Sequence, residues 1–126
     1  MNINKLGRTP IYMQIIDEIE KEILAGILNP MDQLPSVRAL SVEISINPNT
    51  IQKAYTELEH KGICYTSPGQ GRFVAQDARD KIRHGKLGII AEIDRLIAEL
   101  MATGMSFEEI LEAIKESHLK KEIHGK

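Results

Sequence analysis

A mainly α-helical fold with one small β-hairpin is predicted by three features of this sequence. Apolar residues recur at three- and four-residue spacing along most of the chain, the helical signature. Two short runs of strand-forming residues flank the turn-rich spacer Ser67-Pro68-Gly69-Gln70-Gly71. Proline and glycine punctuate the joints between these segments.

The first helix opens at Thr9-Pro10, which offers cap chemistry and a proline suited to a first helical position. From there Ile11, Ile15, Ile16, Ile19, Ile23 and Leu24 form one apolar stripe that Gly26 ends. Pro35-Ser36 opens a short second helix faced by Val37, Leu40 and Ile44. After the brief link Ser45-Ile46, Asn47 is the candidate cap and Pro48 the first position of a third helix. Its buried stripe is Ile51, Ala54, Tyr55 and Leu58, with Gly62 as its stop. Ile63-Cys64-Tyr65-Thr66 and Arg72-Phe73-Val74-Ala75 then pair as the hairpin.

From Gln76 the composition shifts, and the charged stretch Asp77 to Lys86 is expected to be a linker or a frayed helical lead-in. Ile89, Ile90, Ile93, Leu96, Ile97, Leu100 and Met101 mark a strongly apolar helix that Gly104 stops. Ser106 and Glu109 form a capping box for a last helix faced by Phe107, Ile110, Leu111 and Ile114. The tail from His118 to Lys126 is expected to fray. The capped last helix and that tail lead us to expect a complete chain. Three helices followed by a hairpin, with a short link between the second and third, is the layout of a winged helix-turn-helix.

Composition narrows the function classes. At 126 residues, 42% hydrophobic and 27% charged, the chain has room for one domain with an appendage. It has no apolar run near the ~18 residues a membrane span needs and no apolar segment of the kind a secretory signal carries. The lone Cys64 has no internal disulfide partner, so a reducing cytoplasm is the expected location. His60, His84, His118 and His124 are scattered without zinc spacing, and paired carboxylates such as Asp17-Glu18 and Glu108-Glu109 fall on polar helix faces. No catalytic residue, metal or cofactor is expected.

The net charge of −2 argues against a nucleic-acid partner, until the charges are placed. Residues 1–76 hold 7 basic and 8 acidic side chains, and many of the acids (Asp17, Glu18, Glu20, Glu22) lie on the first helix. Glu57 and Glu59 lie near the far end of the third. The exposed face of that helix carries Asn49, Gln52, Lys53 and Thr56, with Thr50 at its entrance. Asn and Gln can bond adenine bidentately, and Lys reaches guanine or phosphate. On a lone helix such a face would be an ordinary solvated one; the glycine-tipped hairpin that follows favours DNA. Tyr55 belongs to the core, and Arg38 is either a phosphate clamp or a surface charge.

Four stretches carry a resemblance: Pro10 to Ile15, Leu34 to Arg38, Asn47 to Glu59, and Gly69 to Val74. In that order they resemble the GntR family of bacterial transcriptional regulators. The short remainder resembles the YtrA subfamily, whose members have small α-helical dimerisation tails and whose operons often encode ABC-type transporters. The resemblance implies that residues 1–76 form a winged helix-turn-helix DNA-binding domain and residues 77–126 an α-helical dimerisation or effector tail. It implies contact to double-stranded operator DNA by Arg38, Asn47, Asn49, Thr50, Gln52 and Lys53, by Gln70 and Gly71 at a wing tip in the minor groove, and by Arg72 flanking the reading surface. Many relatives carry arginine where Pro48 and Gln52 stand and a basic residue at Gln70, so the electrostatic part of binding is expected to be reduced.

The helix from Ile89 to Met101 is more apolar than one thin stripe requires, so a second subunit is the expected cover. The expected interface comprises Ile89, Ile90, Ile93, Leu96, Ile97, Leu100, Phe107, Ile110, Leu111 and Ile114. Packing back on the winged domain is the alternative. The resulting expectation is a dimeric, cytoplasmic repressor of no enzymatic activity that binds a palindromic operator. Whether it takes a small-molecule effector is not written in these residues, and a winged domain that docks a protein is the competing reading.

Overall fold

A computed structural model describes residues 1–124 of the chain and the side chains of residues 1–121. Its elements run α1 (Ile11–Leu24), α2 (Val37–Ile44), α3 (Pro48–His60), β1 (Cys64–Ser67), β2 (Gly71–Val74), α4 (Ala78–Lys86), α5 (Gly88–Met101) and α6 (Phe107–His124). The fold is therefore mainly α with one antiparallel hairpin, in which Cys64 pairs with Val74 and Ser67 with Gly71. The chain forms two compact units, Met1–Gly85 and Lys86–Lys126.

In the first unit α1, α2 and α3 pack around Ile15, Ile19, Ile23, Leu40, Ile51, Ala54, Tyr55 and Leu58, all at most 2% exposed. These are the residues at three- and four-residue spacing, so the periodic stripe is the core. Its helices end tightly. Gly26 and Gly62 have φ of +80° and +76°, where only glycine is unstrained. There the amides of Ile27 and Ile63 reach back to the carbonyls of Glu22 and Leu58, each at 2.9 Å, closing a Schellman turn.

Three local expectations are corrected. Thr9 does not cap α1: Pro10 is the cap residue, and its carbonyl accepts from the amides of Met13 and Gln14. Of the two readings of the charged stretch after Gln76, the linker is excluded and the helical one holds without the fraying at its start, because α4 buries Ala78 and Ile82 in the first unit's core. Arg79 anchors it, donating from Nε to the Ile23 carbonyl at 3.1 Å and from Nη2 to Asn29 Oδ1 at 3.0 Å. Compactness thus extends past residue 76, where the composition shifts. The last helix, finally, does not fray at His118 but continues through His124; the rest of the expected frayed tail, residues 125 and 126, lies outside the described residues.

The hairpin also has a third partner. Leu34 donates its amide to Arg72 O, Met31 to Val74 O, and Val74 to Asp32 O, each at 2.8 Å. The segment before α2 therefore covers the outer edge of β2, which would otherwise offer unpaired backbone groups.

In the second unit, Ser106 and Glu109 form the expected capping box, with bonds of 3.0 and 3.1 Å between each side chain and the other's amide. α5 buries none of its side chains.

Candidate nucleic-acid interface

The reading end is built by two caps and a tight turn. Ser36 Oγ accepts from the Ala39 amide at 3.0 Å and starts α2. α2 stops at Ser45, which adopts the left-handed conformation at φ 56° and ψ 47°. Ile46 then turns inward, 7% exposed, and Ser41 Oγ donates to its carbonyl at 2.6 Å. Asn47 starts α3: its Oδ1 accepts from the Asn49 amide at 2.8 Å, and Pro48 fills the first turn, where no amide is needed. The first-turn amides of α3 are all taken up by Asn47, by its side chain at Asn49 and by its carbonyl at Thr50 and Ile51, so this end offers a phosphate the partial positive charge of the helix and no free N–H group.

Each predicted DNA contact has a definite place. Arg38 is exposed in the first turn of α2, and among the described residues nothing bonds its guanidinium. Asn47 is exposed, but its carbonyl oxygen is committed to the cap, leaving only the amide NH2 to donate. Asn49 is exposed with its whole carboxamide free. Thr50 is half-buried. Gln52 is exposed and donates to Thr56 Oγ1 at 3.3 Å, so its Oε1 stays open. Lys53 lies with Nζ 4.0 Å from the centre of the Tyr12 ring, a cation–π contact that holds the ammonium on the α1 side of α3.

The wing tip is a type II turn. Pro68 and Gly69 occupy its central positions, Gly69 has φ +77°, and the Gln70 amide donates to Ser67 O at 2.9 Å. Nothing lies within 4 Å of where a Gly69 Cβ would stand, so the tip is open. Gly71 has φ +119°, a conformation that favours glycine, and a Cβ there would fall 2.6 Å from Gln33 Nε2 and displace that side chain. That nitrogen donates to Gln70 O at 2.9 Å and so braces the tip.

Arg72 sits apart from the rest. It is turned inward, with Nε 3.1 Å from Glu59 Oε1 and its guanidinium 5.2 Å from the centre of the Tyr55 ring. The same Glu59 oxygen accepts from Thr66 Oγ1. A crevice of about 230 Å³ opens beside Arg72, lined also by Gln33, Pro35, Val37 and Tyr55. Burial pushes the Tyr55 phenol well above its ordinary range, against the opposing pull of Arg72. Burial likewise pushes the Cys64 thiol up to about 11, with Glu59 adding to the effect and Arg72 opposing it. Sequence reasoning missed Gln33 and Glu59. Gln33 carries no signal of its own, and Glu59 looks like a solvated acid at the far end of α3.

In the second unit Ile89, Ile90, Ile93, Leu96, Leu100, Phe107, Leu111 and Ile114 are exposed and Ile97 is half-buried. Ile110 differs from the expectation: at 1% exposed it is already covered within its own chain, so it supports the face instead of presenting it. No described helix is long and apolar enough to cross a membrane. Among the described residues no cluster of His, Cys, Asp or Glu is arranged to hold a metal.

The family model for bacterial regulatory proteins of the gntR family matches residues 11–74. The HTH-type transcriptional repressor YtrA of Bacillus subtilis is 41% identical over 117 residues, which span 92% of this chain and 90% of that one. A transcriptional regulator from Oenococcus oeni superposes with a TM-score of 0.72 at 34% identity, covering 92% of this chain and 95% of its own. The DNA-binding domain of AraR, solved in complex with its operator ORR3, matches with a TM-score of 0.52 at 29% identity over 60% of this chain and 90% of its own. A capped and exposed α3, a glycine-tipped hairpin and these matches agree: the chain belongs to the gntR family of bacterial regulatory proteins, DNA-binding transcriptional regulators with a winged helix-turn-helix.

Proposed function

We propose that this protein is a dimeric repressor that reads a two-fold symmetric operator with α3 in the major groove and the wing tip against the minor groove. The observation that carries it is the N-terminal face of α3, where Asn49 and Gln52 hold unpaired acceptors beside Lys53 and the positive end of the helix dipole. Arg38 and Asn47 are in positions to hold phosphates, and Gln70 with Gly71 supplies the wing contact. The operator-bound AraR domain supports this docking, and the likeness to the YtrA repressor supports repression over activation. The resemblance to that subfamily favours an ABC-type transporter operon as the target and the cytoplasm as its location.

Dimerisation is assigned to the exposed apolar face of α5, from Ile89 to Leu100, continued by Phe107, Leu111 and Ile114 on α6. A dimer places two reading helices on one face of the duplex and sets the half-site spacing. Electrophoretic retention of the protein's own promoter is the direct test. Specific retention that weakens with salt is expected; its absence across the promoter fragments would overturn the proposal.

A further inference from the structure

We infer that Glu59 is a positioning residue for the wing, and that Arg72 serves DNA reading through Glu59 and not as a phosphate ligand. The inference rests on the operator-binding proposal above and deepens it. Glu59 stands in the last turns of α3, the reading helix, while Thr66 and Arg72 face each other across the hairpin. One oxygen, Glu59 Oε1, takes both Thr66 Oγ1 and Arg72 Nε, so a single carboxylate pins both strands of the wing to α3 at one rung.

The rest of the connection closes a ring. Arg72 O accepts from the Leu34 amide at 2.8 Å, and the next residue, Pro35, accepts from the Tyr55 hydroxyl at 2.8 Å. Tyr55 is on α3, and its ring lies under the Arg72 guanidinium. Wing and reading helix are thus joined through side chains on both sides of the crevice. Both charges are largely sheltered, with side-chain exposures of 21% for Arg72 and 29% for Glu59. A charge pair in that setting holds geometry more firmly than a surface pair does. It also neutralises Arg72, so this arginine adds little to the field that DNA meets. A wing fixed before binding spares the complex the cost of ordering it.

The test compares Glu59→Gln, Arg72→Met, Arg72→Lys and the Glu59→Gln/Arg72→Met double variant on a promoter duplex that the native protein retains. Affinity is measured across salt concentrations, and thermal melting confirms that each variant is folded at the assay temperature. Each single variant is expected to weaken binding about tenfold by loosening a preordered element. The double variant should be no weaker than either single one, and Arg72→Lys should not rescue, since an ammonium cannot replace the guanidinium fork. The slope of log K against log salt should not change. If Arg72→Met instead lowers that slope by about one phosphate, or Arg72→Lys binds like the native protein, Arg72 is a direct contact and the inference is wrong. It is equally wrong if the variants lower the melting midpoint yet keep native affinity. Failure of the native protein to retain any promoter fragment would be a different result, overturning the operator proposal itself.

Discussion

The Tyr55 hydroxyl donates to the Pro35 carbonyl across 2.8 Å, joining the middle of α3 to the residue that precedes the cap of α2. The ring is fully buried, so the phenol is core and connector at once. Tyr55→Phe removes only the donor and strands the Pro35 oxygen. Urea unfolding should show a loss of about 1–2 kcal/mol, the cost of an unsatisfied acceptor. Tyr55→Ala, which also opens a cavity, should lose about 3–5 kcal/mol.

Ser45 is held at φ 56° between the two helices of the motif. A left-handed residue with a Cβ carries a cost that glycine escapes, offset in part by glycine's greater freedom when unfolded. Ser45→Gly is expected to raise stability by about 0.5 kcal/mol. Ser45→Val should lower it by more, since branching makes that conformation worse. The shift in urea midpoint decides both.

Asn49 and Gln52 supply the free groups on the reading face. Replacing both with alanine should leave fold and dimer intact while discrimination between operator and mutated operator falls, by about 1–3 kcal/mol for each bidentate pair removed. Asn47→Ala serves as the contrast. It should cost about 1 kcal/mol of stability through the missing cap, because its oxygen already serves the Asn49 amide.

Cys64 gives the stability a pH limit. Its folded-state thiol is raised from the ordinary 9.0 to about 11, chiefly by burial, and it donates weakly to Tyr55 O. Because the folded value is the higher one, its contribution is whole below pH 9 and is lost as pH climbs through 11. That loss should approach roughly 2 kcal/mol, and Cys64→Ala should flatten this part of the pH profile. Below pH 9 the native thiol should react slowly with thiol reagents, and denaturant should release it.

Ile93 lies in the middle of the exposed face of α5. Ile93→Lys should shift sedimentation toward the monomer and weaken operator retention, since one winged domain then binds without its twin. Far-ultraviolet dichroism should remain that of the native protein. A dimer that persists would refute the assigned interface.

The helices were legible because burial repeats with the helical period, and Ile15, Ile19, Ile23, Ile51, Tyr55 and Leu58 are fully or almost fully buried. The caps at Asn47 and Ser106 were legible because their chemistry is local. The strand-like run before α2 was not, since Asp32 favours turns, Gln33 carries no strand signal and the pairing depends on a partner about forty residues away. α4 was hidden by its charges: only Ala78 and Ile82 face inward, and Arg79 finds its partners on α1 and in the loop that follows. At the site, residue types pointed to α3 and the wing tip. The partnership of Arg72 with Glu59 exists only once the hairpin folds over α3, and no periodicity announces it.

The backbone bonds from Met31, Leu34 and Val74 have a kinetic consequence. The segment ahead of α2 ties the outer edge of β2 to a distant part of the chain, so the hairpin can pair locally but its full set of bonds is expected only after a long loop is ordered. Its amides should then exchange with solvent deuterium at the rate of global opening, in step with those of α3, and not at the faster rate of a fraying surface ribbon. Such a wing moves with the domain as one cooperative body along its paired strands, while its exposed tip stays accessible.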